Sequence, residues 1–359
     1  MLAACFWPFE FHPHNDVTYV PGEEGLRFYG NGTAYSHDSF PSLSLLSESN
    51  ELTIEITVRP SCIFNSGAPC ILSFSPEQGS PALVIRALNT SLIIRHGLLG
   101  NPGGKKYQDI RISDVFTPGH TVHLAVSIGP QGTTIFVDGK SRRFVPGTYS
   151  DSSDSTLGRL LLGNSPTGDS LWKGEILALA LYNRALAEPS ETFAGVAVRE
   201  YLDRMASDGK LIARYRFDKI HNNRILSISA PTYDIIIPTY FAPLRRTVLA
   251  PPQGSALLTL SSLKDIVLNV LGFMPFGFLL ILILDAANAS SPRWRSTTVV
   301  IAGFFLSMFI ELTQAFLPTR SSSLMDLFAN TVGSALGVTL FYIVVEWRRE
   351  VSDDEGACR

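Results

Sequence analysis

Two short stretches place the same residue types at the same spacing. DIVLNVLG at 265–272 and DLFANTVG at 326–333 each carry Asp, Asn and Gly at positions one, five and eight. On a helix, residues four apart share a face, so each stretch presents a carboxylate and an amide one turn apart: Asp265 with Asn269, and Asp326 with Asn330. Glu311 and Gln314 add a second acid and amide at i, i+3, and Arg320 follows them. Paired carboxylates beside a cation suit general acid–base work on a substrate that develops negative charge. In that reading Glu311 is the acid or base, Asp326 its partner and Arg320 the charge stabiliser, while Gln314, Asn330, Asn269 and Asp265 line the ligand. Each residue also has a structural reading. The aspartates serve as N-caps, the asparagines as bonds between helices, Glu311 as one half of an internal pair with Arg320, and Gly272, Gly277, Gly333 and Gly337 as packing positions.

The elements that hold these groups follow from hydropathy. Residues 266–284 read IVLNVLGFMPFGFLLILIL, an uncharged run near the roughly 20 residues a bilayer requires, and 297–317 and 324–345 are two more. Three spanning helices are predicted, with Glu311 two-thirds of the way across the second. An ionisable residue inside a bilayer costs several kcal/mol unless paired, so the acids there carry a functional hypothesis. Arg293 and Arg295 separate the first two spans, and Arg348 and Arg349 follow the third. The positive-inside rule puts those four inside and everything before Asp265 outside, against Arg245, Arg246 and Arg320. Asp265 and Asp326 then mark outer helix N-termini, and the acids and amides share one level as two walls of an outward-facing polar pocket. Residues 1–19 read as the remnant of an apolar helix, ended by Pro8 and Glu10 with no basic residue ahead of it. The expected order is that remnant, an exported domain at 20–245, a proline-rich linker at 246–262, a membrane domain at 263–348 and a cytoplasmic tail at 349–359. With 29 basic and 32 acidic residues and a net charge of −3, no nucleic-acid partner is expected.

Between residues 20 and 190 the chain alternates apolar and polar residues in short runs split by Gly, Pro, Asn and Ser, which predicts antiparallel sheets packed as a β-sandwich. The Asp138-Gly139 pair marks a tight hairpin turn. HLAVSIGPQGTTIFVDGK and GRLLLGNSPTGDSLWKGEILALALYNRALAEPSE resemble the laminin-G-like, or concanavalin-A-like, jelly roll. The resemblance implies glycan or protein recognition at the sandwich rim. There Trp172, Asp169, Asp138 and Asn164 would form an aromatic and acidic sugar or calcium site, or else Trp172 packs in the core and Asp138 only makes its turn. ARYRFD comes late for this fold and reads as a closing strand, and TYDIII as an edge strand. Cys62 and Cys70 flank a loop and either close a disulfide or remain two thiols; no Cys or His spacing suggests zinc or another metal site.

DIVLNVLGFMPFGFLL and SMFIELTQAFLPTRSSSLMDLFANTVGSALG, in that order, resemble the VanZ-like membrane family, named for a protein associated with teicoplanin resistance. Asn269, Pro275, Gly277, Glu311, Gln314, Arg320, Asp326, Asn330 and Gly333 fall on its motif, and its members carry a helix before the first Asn-bearing span. The resemblance implies a multi-pass protein of the bacterial inner membrane with an envelope role linked to glycopeptide tolerance. Membrane lipids, a glycan or lipid-linked saccharide, or another envelope protein are the expected partners. An enzyme acting on a lipid-linked substrate and a structural tether for an adhesive domain are the alternatives. No cofactor is predicted beyond calcium in the sandwich.

Overall fold

The computed structural model describes residues 10–20, 22, 24–41, 50–64, 68–77, 81–97, 107–147, 157–186, 210–215, 217, 223–228, 231–251, 260–287, 291–320 and 322–357. The chain divides into two compact units, one of them His12–Arg245 and the other built on Arg246–Arg359.

The first unit is two antiparallel sheets. Its strands are β1 (Val17–Val20), β2 (Gly25–Phe28), β3 (Ala34–Ser36), β4 (Leu52–Pro60), β5 (Cys70–Ser75), β6 (Leu83–Leu88), β7 (Ser91–Gly97) and β8 (Tyr107–Ile112). They continue with β9 (Val122–Gly129), β10 (Gly132–Val137), β11 (Lys140–Pro146), β12 (Arg159–Leu162), β13 (Gly174–Tyr182), β14 (Leu211–Tyr215), β15 (Arg224–Ile225) and β16 (Ile235–Ile236). One sheet runs β1-β2-β13-β4-β9-β10-β11 and the other β15-β16-β3-β12-β5-β6-β7-β8. Period-two alternation fills the space between them: Ile54 pairs with Val126 and Ile56 with Leu124, all buried in the shared core. Asp138 and Gly139 both have positive φ, 50° and 75°, which is the two-residue hairpin turn that an Asp-Gly pair favours.

Three details differ from, or sharpen, the sequence reading. Strand β14 pairs with β13 along Leu179–Tyr182, beyond the part of that edge taken by β2, so the ARYRFD tract does close a sheet. Strand β16, from TYDIII, lies between β15 and β3 and is not at the edge. The sandwich also begins before residue 20. The Asn15 side chain donates to Thr33 O and Pro238 O and accepts from Thr33 N, and Phe241 N donates to Pro13 O, which ties both ends of the unit together. Residues 187–209 and 1–9 lie outside the described residues.

The second unit is three helices, α1 (Leu260–Ala286), α2 (Pro292–Gln314) and α3 (Leu324–Ala357). Each contains a stretch long and apolar enough to cross a membrane: Leu263–Ala286, Pro292–Gln314 and Leu324–Trp347. Helix α2 starts five residues earlier than hydropathy predicts, because Pro292 at its first turn lacks only an amide that no helical carbonyl needs. Arg295, which this early start places inside α2, is paired with Asp285 of α1. Helices α1 and α3 approach closely through glycine. A Cβ at Gly277 would overlap the Ser334 carbonyl, one at Gly333 the Val270 carbonyl and one at Gly337 the Met274 carbonyl. Gly272, expected to pack in the same way, faces open space.

Candidate functional site

Helix α3 begins with an exchange of caps. Ser323 precedes its first residue, and the Ser323 hydroxyl accepts from Met325 N at 3.1 Å and Asp326 N at 3.4 Å, the bonds of an N-cap. In a capping box the acid three residues on would return a bond to the cap's own amide. Here Glu311, from the preceding helix, accepts that bond: Ser323 N donates to Glu311 Oε2 at 2.8 Å, and the Ser322 hydroxyl lies beside the same carboxylate. Asp326 is thereby released from capping. Its carboxylate instead lies near the Asn269 side chain and the Asp265 carboxylate of α1.

One turn deeper a second pair repeats the contact between α2 and α3. Asn330 Nδ2 donates to Ser307 Oγ at 3.0 Å, with both residues buried, and Asn330 Oδ1 is buried without a hydrogen-bond partner. The acid–amide spacing of DIVLNVLG and DLFANTVG therefore brings Asp265, Asn269 and Asp326 together, with Glu311 beside them and Asn330 below. None of the three acids has a basic side chain paired with it among the described residues.

Several expectations change. Helix α1 starts at Leu260, so Asp265 lies in its second turn and is no N-cap; the cap of α3 is Ser323 and not Asp326. Helix α2 ends at Gln314, so Glu311 is about 5 Å from the end of its helix. Glu311 is 2% exposed and its carboxylate accepts from the Ser323 amide of the α2–α3 turn. Gln314 is half-buried at the last residue of α2, and Arg320 is exposed in the turn, its amide donating to Leu317 O.

The chain reaches this site from the sandwich. Leu249 N donates to the Ser322 hydroxyl at 3.1 Å, Ala250 N to Ser322 O at 2.9 Å, and Leu324 N to Ala250 O at 3.1 Å. Ala250 makes a parallel bridge with Ser323. Ser322 is thus shared between the strap at 246–251 and Glu311. Leu249 is held at φ 50°, a left-handed conformation that a leucine adopts only when its surroundings impose it. On the same turn the Arg246 guanidinium lies over the Phe316 ring at 5.7 Å. No sequence pattern announces this strap; the proline-rich composition of 246–262 read only as a linker.

In the sandwich, the four rim residues have intramolecular work. Trp172 is fully buried against Phe64 and Phe116, leaving no ring face for a sugar. Asn164 is fully buried, with Oδ1 accepting from Ser165 N and Ser170 N, and Asp169 accepts from the Ser165 and Ser170 hydroxyls. Asp138 closes its turn and accepts from His123 N at 3.0 Å. No group of three or more His, Cys, Asp or Glu side chains converges among the described residues. Cys62 and Cys70 are free thiols and form no disulfide; burial pushes the Cys70 thiol up to about 11. Burial likewise holds the His123 imidazole below its usual value, with Asp138 opposing.

Comparison with known families matches each part of the chain separately, although the second match begins within the sandwich unit, which extends to Arg245. The model described as Concanavalin A-like lectin/glucanases superfamily matches residues 30–190, and the model described as VanZ/LLP1 matches residues 217–345. Comparison with curated proteins gives no match. Among solved structures, a candidate carbohydrate-binding protein of Bacteroides ovatus is similar at 16% identity and TM-score 0.41, covering 62% of this chain and 60% of that one. A Trypanosoma rangeli sialidase mutant displaying trans-sialidase activity is similar at 14% identity and TM-score 0.39, over 53% of this chain and 30% of that one. A heptameric SAP-like pentraxin from Limulus polyphemus is similar at 13% identity and TM-score 0.36, over 53% and 86%. The chain spans less than two thirds of the first two structures, and at these scores nothing about a ligand follows from any of the three.

Proposed function

We propose that this chain, a VanZ-like membrane domain joined to a concanavalin-A-like sandwich, is a bacterial envelope protein that binds the saccharide end of a lipid-linked glycan at the outer end of its helices. The sandwich is exported and recognises glycan on the same side. The observation that carries this reading is the strap at 246–251: it runs directly from the sandwich unit into the turn that holds Glu311, Ser322 and Ser323. The acid–amide cluster and the point where the chain enters the membrane unit are therefore at one end of the bundle. Arg293 and Arg295 lie at the other end, which supports that end as the cytoplasmic one.

The chemistry of the cluster favours a donor-rich ligand. Asp265 and Asp326 offer carboxylate oxygens with no paired cation among the described residues, and Asn269 lies near Asp326. Sugar hydroxyls or an amino group supply the donors that such a face lacks. Arg246 on the strap and Arg320 in the α2–α3 turn, both exposed, would meet the phosphate that links sugar to lipid. This is a binding site in which Asp326, Asp265 and Asn269 touch ligand, while Glu311 positions the turn.

Native mass spectrometry of the full chain in nonionic detergent tests it. The probes are a polyprenyl-diphosphate-linked disaccharide and the polyprenyl phosphate alone. The expected result is binding of the saccharide-bearing lipid about tenfold tighter than of the bare phosphate, with that preference lost in Asp326→Asn. Equal binding of both lipids, or an unchanged preference in a folded Asp326→Asn protein, would sink the proposal.

A further inference from the structure

We infer that the edge of the sandwich formed by β11 and β8 is a docking ridge for a linear polyanion, a polymer bearing repeated carboxylate or phosphate groups. The ridge is independent of the membrane cluster. Strand β11 reads KSRRFVP, and Lys140 to Phe144 are exposed in succession, so neither of its faces is covered at that end. It is the outer strand of its sheet, and β8 is the outer strand of the other. Arg143 joins the two, its Nη1 donating to Arg111 O at 2.7 Å, which brings Arg111 beside Arg143. The Arg111 guanidinium is oriented by Ser91, whose hydroxyl accepts from Nε at 3.2 Å and Nη2 at 3.1 Å.

Four cations, Lys140, Arg142, Arg143 and Arg111, therefore line one edge, and none has a carboxylate partner among the described residues. Three other arginines of the sandwich are paired with carboxylates. Arg27 and Arg59 share Glu175 at 2.6 and 2.9 Å, and Arg95 holds both oxygens of Asp109 at 2.6 and 2.7 Å. The acid nearest Arg111 along β8 is thus already committed. In a chain whose net charge is −3, such a local excess of positive charge marks a surface that meets an anion.

The shape of the edge chooses among anions. A register shift between Ile135 and Phe136 sets a bulge opposite Arg142, which interrupts the ladder that an added peptide strand would need. A ridge one strand wide gives a flat lipid surface few simultaneous contacts, whereas a linear polymer can follow its length of about 20 Å. Phe144, 53% exposed on the same strand, offers an apolar contact to a sugar ring or backbone carbon. Charge and a bulge on an edge strand also discourage sheet-to-sheet aggregation. That role needs no cation on β8, yet Arg111 is oriented there.

The test uses the full chain in nonionic detergent, immobilised, with polygalacturonate, poly(glycerol phosphate) and neutral dextran in solution. Binding of either polyanion and not of dextran is expected, weakening as salt rises to about 0.5 M, where the screening length falls to a few ångströms. The Lys140→Ser, Arg142→Ser, Arg143→Ser triple variant is expected to lose about tenfold or more in apparent affinity. Arg142→Lys is expected to retain it, as is Arg224→Ser on the opposite edge of the second sheet. Arg142→Ser alone, at a fully exposed bulge, keeps the test valid if the triple variant does not fold. Failure of the folded wild type to bind either polymer overturns the inference, as does unchanged binding in a folded Arg142→Ser or triple variant. Capture by phosphatidylglycerol vesicles with no polymer binding also overturns it, in favour of a lipid surface.

Discussion

Glu311 accepts the Ser323 amide, which leaves the carboxylate of Asp326 to face α1. Glu311→Gln keeps a carbonyl oxygen for that amide, so the protein should insert and melt close to wild type. Glu311→Leu strands a backbone donor next to the helix start and should cost about 1 to 3 kcal/mol, read as a lower melting temperature in detergent. A drop of the same size in Glu311→Gln would show that the charge, and not the cap, is what matters. In the sandwich, Cys70 gives a prediction with a defined pH window. Its folded thiol is pushed up to about 11 from an ordinary value near 9, so the fold favours the protonated form. That contribution is fully present below about pH 9 and is lost as pH rises through about 11. Cys70→Ala should therefore lose less stability than wild type between those values, measured by thermal unfolding. Parallel decline of the two proteins would place the alkaline loss elsewhere.

Between elements, the α1–α3 contact is set by glycine and is intolerant of any side chain. Gly337→Val places carbon where the Met274 carbonyl lies, so the helices must separate, and the expected outcome is loss of accumulated protein in the membrane fraction. The same change at Gly272, which faces open space, should be tolerated. Normal accumulation of Gly337→Val would mean that the two helices are not this close. The contrast shows how far sequence carries. Three spans, two packed sheets, the Asp-Gly turn and the buried Trp172 were all legible, because hydropathy, period-two alternation and turn chemistry are local. The polar cluster was half legible: the repeated Asp-x3-Asn spacing identified which residues gather. It did not show that Ser323 and Glu311 divide the capping between them, because that depends on where α2 ends and how α3 is approached. The strap was illegible, since apart from the Ser322 hydroxyl its bonds run through backbone atoms of Leu249, Ala250, Ser322 and Leu324, which every sequence carries.

Across the whole molecule, the account requires the sandwich and the acid–amide cluster to share one side of the membrane. The strap supports this requirement, since residues 246–251, which follow the sandwich unit in the chain, bond to the α2–α3 turn. The most direct measurement is labelling with an impermeant maleimide in spheroplasts. Single cysteines are placed at Thr117 on the sandwich, Arg320 in the α2–α3 turn and Arg293 at the start of α2, all exposed positions. Cys5, Cys62 and Cys358 are replaced by serine, and the buried Cys70 is left in place. Thr117→Cys and Arg320→Cys should label without permeabilisation, and Arg293→Cys only after it. Labelling of Arg293→Cys alone in intact spheroplasts would put the cluster and the sandwich inside, and a split between Thr117→Cys and Arg320→Cys would break the shared face on which the proposed function rests.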